Sequence, residues 1–89
     1  MQDNELPISG EAYFKDFSMD IEEYKFKRTN EVLKGIPDKE YGKTHIHFPY
    51  NSNIVVGDQF HLGDESYQVS DIVIETYNGS PSLLRVHYT

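Results

Sequence analysis

Apolar and polar positions alternate most regularly from Asn53 to Tyr88, NIVVGDQFHLGDESYQVSDIVIETYNGSPSLLRVHY. Short β-type runs there each end at a glycine-containing turn, which is the spacing of a small antiparallel barrel or sandwich. Ile54–Val56 leads into Gly57-Asp58, Gln59–Leu62 runs into a turn over Gly63–Ser66, and Tyr67–Tyr77 reads as one long strand. Asn78-Gly79 is a strong two-residue hairpin signal, with Ser82–Tyr88 as the returning strand. The alternation breaks near Asp71-Ile72, because Tyr67 and Val69 share one parity while Ile72 and Ile74 share the other. A β-bulge at that point would keep both pairs on the core side and bend the strand, as barrel closure requires.

The first half is less regular. Met1–Gly10 is polar and acidic and is expected to be a flexible arm, able to add a strand to a neighbour's sheet edge. Residues 11–89 then form a single small domain. In Glu11–Met19 the apolar positions Ala12, Phe14 and Phe17 partly alternate with polar ones, which favours a strand. Two readings fit Asp20–Gly35. One is a helix opened by Asp20 and Glu23, with Ile21, Tyr24, Arg28 and Val32 on one face and Gly35 as C-cap. The other, slightly preferred, is a strand over Tyr24–Arg28 followed by one helical turn over Asn30–Lys34, capped by Thr29. Gly35–Lys43 has loop composition, Thr44–Phe48 reads as a strand, and Pro49–Asn53 is turn chemistry. The expected fold is therefore mainly β: a small SH3-like antiparallel barrel or sandwich with one short helix in the N-terminal half.

Charge and composition narrow the function. Fifteen acidic against eight basic residues give a net charge of −7, so phosphate-directed nucleic-acid binding is disfavoured. Acidity instead suits solubility or docking on a basic protein partner. The chain has no cysteine, which excludes disulfides and thiolate sites and favours an intracellular setting. Its polar N-terminus does not read as a signal peptide, and no apolar run is long enough to span a bilayer.

Few residues carry chemistry. His45 and His47 point to one face of a strand and, with His61 and His87, could collect a metal. No carboxylate stands at a useful spacing, however, so surface histidines are the preferred reading and no cofactor is expected. Glu22-Glu23 and Asp64-Glu65 are adjacent carboxylates that a strand sends to opposite faces, so neither is an acid–base couple. Asp58 and Asp64 read as turn caps, with Gly63 supplying a positive φ. No serine has nucleophile-elbow context, so no catalysis is expected. Binding is better placed on Tyr41, Tyr50 and Tyr77, which sit in or beside loops, and on the carboxylates of Glu22 and Glu23.

Val56, Gly57, Asp58, Phe60, Leu62, Gly63, Tyr67, Val69 and Ile72, followed by Asn78-Gly79 and Leu83–Val86, resemble a pattern of tailed-bacteriophage head–tail joining and head-completion proteins. The resemblance covers about the last 40 residues. It implies a small barrel that forms rings between portal and tail, with loops and termini contacting neighbours. The resulting expectation is a non-enzymatic assembly or interaction module, with a homo-oligomeric ring or a basic protein as its partner. The alternative is an acidic inhibitor of a nucleic-acid enzyme, with carboxylates standing where phosphates would lie.

Overall fold

The computed structural model describes residues 5–38, 40, 42 and 44–89 and shows a closed antiparallel barrel with strand order β1-β2-β3-β6-β5-β4. The strands are β1 (Glu22–Phe26), β2 (Val32–Pro37), β3 (His45–Pro49), β4 (Gln59–Leu62), β5 (Glu65–Tyr77) and β6 (Ser80–Tyr88). A helix, α1 (Gly10–Asp16), and a 3-10 turn (Ser18–Asp20) precede them. The expected mainly β chain with a short N-terminal helix is thus present, and closure makes it a barrel rather than a sandwich. Among the described residues no helix is long and apolar enough to cross a membrane.

The interior is aromatic. Phe26 and Phe60 stack with centroids 5.0 Å apart. Tyr24 and Phe48 complete a quartet with them through edge-on contacts of 5.6–5.7 Å. Each such pair adds about 0.5–1.5 kcal/mol beyond the area it buries. Ile46, Ile54, Val69, Leu84 and Val86 fill the remaining space. The barrel is therefore a packed core with no internal ligand chamber among these residues.

The expected bulge is present: the β5–β6 register shifts between Val69 and Asp71. Ile72 then packs on the core, but Ile74, expected beside it, stays exposed although it stands opposite Leu84. At the hairpin, Asn78 and Gly79 both take positive φ (52° and 79°), as a type I′ turn requires.

Five local expectations are corrected. Glu11–Met19 is not a strand. Ser9 caps α1 by accepting a hydrogen bond from the Ala12 N–H, and Tyr13 and Phe17, one helical turn apart, pack at 4.9 Å. The segment after Arg28 is not a helical turn. Asn30 adopts φ 59°, the Phe26 N–H reaches the Glu31 carbonyl at 2.8 Å, and the chain returns as β2. Gly35 is accordingly no helix cap; a Cβ there would come within 2.8 Å of Ile46 and Phe48, so glycine lets β2 lie tight against the core. The same strand takes in Gly35, Ile36 and Pro37 from the expected loop. Finally, Ile54–Val56 is not a strand, because its backbone bonds within its own loop: the Asp58 N–H donates to the Val55 carbonyl and the Val55 N–H to Asp58 Oδ2.

A second, smaller layer lies outside the barrel. α1 rests on β6, where the Gly10 N–H donates to Ser82 Oγ at 2.6 Å and a Cβ on Gly10 would strike the Ser82 carbonyl. Of the expected arm, Met1–Asn4 lie outside the described residues. Glu5 forms a parallel bridge with Thr76, whose carbonyl accepts from the Leu6 N–H at 2.7 Å. Ile36 and Leu83 are buried on this outer side, apart from the barrel core.

Candidate functional site

Two groupings of polar side chains are built into the fold. The first lies under α1. His47 on β3 stands opposite Arg85 on β6, and Glu75 on β5 is buried beside them. His47 Nε2 is 2.7 Å from Glu75 Oε1, and Arg85 Nη1 is 3.4 Å from Oε2. Glu75 Oε1 has no well-aligned donor among the described residues, so charge and proximity carry its attraction to His47. The Tyr13 hydroxyl of α1 approaches His47 Nδ1 at 3.4 Å. Next to it, His45 Nε2 lies 3.3 Å from Asp38 Oδ2, and the His45 ring packs against His47 and His87.

The electrostatics follow from burial and neighbours. Burial pushes the Glu75 carboxyl up, but the close approach of His47 and the charges of His47, Arg85 and His45 outweigh it, leaving it below its ordinary value. His45 is lowered, first by burial and then by the positive charge of His47, with Asp38 opposing. Burial and the carboxylates of Asp38 and Glu75 raise the Tyr13 phenol. This arrangement ties α1 to β3, β5 and β6.

The second grouping fixes the loop between β3 and β4. Arg28, at the β1–β2 turn, donates from Nε to Asp58 Oδ1 at 2.7 Å and from Nη2 to Oδ2 at 3.1 Å. Nη2 also reaches the Asn53 carbonyl and side-chain oxygen, both at 3.1 Å. Asp58 is buried, and the Arg28 hydrogen bond is the main reason its carboxyl lies below the ordinary range. Gly57, at φ 95°, lets its N–H reach the Val69 carbonyl at 2.9 Å. The loop is pinned at both ends, yet it leaves Tyr50 54%, Val55 47% and Val56 60% exposed.

The residues expected to bind are scattered. Tyr50 is exposed at the turn after β3, and Tyr77 is half-buried at the end of β5, paired with Ser80. Tyr41 lies outside the described residues. Glu22 and Glu23 sit on β1, opposite Gly35 and Lys34, beside a hollow that also involves Lys34 and Leu62. His45, His47 and His87 do come together, but His61 is on β4, opposite Lys25. Among the described residues no group of three or more His, Asp or Glu side chains is placed to hold a metal ion.

Sequence reading missed Glu75, Arg85 and the Arg28–Asp58 pair. Asp58 was legible as a turn cap, and it does accept the Val55 N–H, but its cation stands 30 residues away in sequence. The chain matches no protein-family model, no curated protein and no solved structure.

Proposed function

We propose that this chain is a non-enzymatic protein–protein interaction module whose recognition surface is the β3–β4 loop, and that copies associate through it. One observation carries the reading: a loop clamped by Arg28 on the buried Asp58 keeps Tyr50, Val55 and Val56 in water. Ordering apolar side chains in solvent stabilises nothing within the chain, whereas a rigid apolar patch loses little entropy when a partner covers it. The packed interior also gives a small molecule no obvious chamber. A ring joining phage head to tail, which the resemblance of residues 53–88 implies, is the specific form of this proposal.

Light scattering across a concentration series tests it. The 10.4 kDa chain should associate as concentration rises, and Val55→Ser with Val56→Ser should leave a folded monomer. A parent chain that stays monomeric, with loop amide signals independent of concentration, would overturn the proposal.

A further inference from the structure

A hollow of about 630 Å³ lies on the outer face of β1, β4 and β5. Tyr24 and Phe26 point inward, so Lys25 and Lys27 point outward. The Lys27 N–H donates to the Gln59 carbonyl at 2.9 Å, which continues the ladder past the end of β1. Register then sets two rows on this face. Lys25 stands opposite His61 and His61 opposite Ser66, while Lys27 lies beside Gln59, which stands opposite Gln68.

The composition of this face is unlike that of the whole molecule. The chain carries fifteen acidic residues, yet no side-chain carboxylate lines the hollow. Lys25 donates only to the Asn30 carbonyl, at 3.0 Å, and neither lysine forms an ion pair among the described residues. Two ammonium groups without an ion-pair partner among the described residues therefore sit among amide, imidazole and hydroxyl groups that can both donate and accept.

We propose that this face binds an extended acidic peptide segment of a partner protein. Residues two apart on a strand project about 6–7 Å apart on one side, so Lys25 and Lys27 match alternate carboxylates of an extended chain. Single-stranded nucleic acid fits less well, because it needs a free ring for base stacking. Phe60 is buried, and Tyr67 is packed between Phe60 and Tyr88 with its hydroxyl bonded to Glu65. The net charge of −7 also repels a long polyanion more than a short segment.

An amide-resolved NMR titration of the full chain tests this, using a synthetic peptide of alternating Glu and Thr, with pyrophosphate and a short oligothymidylate as competing probes. The peptide should shift the Lys25, Lys27, Gln59, His61 and Gln68 signals saturably, and added salt should reverse the effect. Lys25→Glu with Lys27→Glu should weaken binding roughly tenfold, and Gln68→Lys should tighten it. No saturable shift on this face, or undiminished binding by the charge-reversed variant, would overturn the proposal. A stronger response to pyrophosphate or oligothymidylate would also overturn it, by assigning the face to phosphate ligands. Val55→Ser with Val56→Ser should bind the peptide like the parent, so the loop proposal and this one fail separately.

Discussion

Asp58 and Glu75 are both buried carboxylates, and their surroundings differ in kind. Asp58 faces a guanidinium in forked geometry and also accepts a backbone N–H. Its partner stays charged at every ordinary pH, so the loop it holds keeps one shape. Glu75 shares a longer contact to Arg85 with a close histidine, and one of its oxygens lacks an aligned donor. Beside them His45 is held below its ordinary value, first by burial, so this layer contains a group whose protonation the fold resists. One carboxylate fixes a surface; the other sits in a layer that acid disturbs.

The strongest test of that contrast is Asp58→Ala. It leaves Arg28 without its fork and the Val55 N–H without its acceptor, and should lower Tm by roughly 10 °C in a thermal melt. A change of only a degree or two would show that the loop holds itself without the clamp.

Glu75→Gln should cost less, about 1 kcal/mol in urea unfolding, because the amide keeps the shape and Glu75 was incompletely satisfied at the start. A larger loss than that of Asp58→Ala would reverse the ranking of the two sites.

Acidification separates them most finely. The His45 imidazole is held below its ordinary value, so the unfolded chain takes up its proton first. Stability should therefore be full above about pH 6.5 and fall as pH drops through that value towards the lower folded one. Glu75 and Asp58 are also lowered, but their contributions are lost only below about pH 4, the ordinary carboxylate range. Hydrogen exchange at α1 should accordingly quicken between about pH 7 and pH 5 while the β3–β4 loop stays protected. His45→Gln should flatten that response, and an equal response in the loop would remove the distinction.

The second half of the fold was legible because its signals are local. The Asn78-Gly79 turn, the Gly63 turn and the broken alternation at Asp71-Ile72 each involve a few neighbouring residues whose backbone demands only certain side chains meet. Val32–Pro37 was misread because Gly35 resembles a helix stop when its neighbours are unknown. Its actual reason, the closeness of Ile46 and Phe48, is a fact about another strand. Glu11–Met19 was misread for the opposite reason: a weak alternation was heard over Ser9, whose cap starts α1. Of the candidate site residues, His45 and His47 were correctly placed on one face, but the carboxylate between them and Arg85 comes from β5, 28 residues beyond His47 in sequence.

The amino-acid order by itself determined the strands from Gln59 onward, their turns, the acidic balance and the absence of thiol chemistry, since these depend on adjacent residues or on counts. Only the folded chain decided which buried acid met which cation, which valines stayed wet, and which lysines were left without a counter-charge. Barrel closure brings distant strands into register, and contacts across that register depend on three-dimensional distance, which spacing along the chain does not encode.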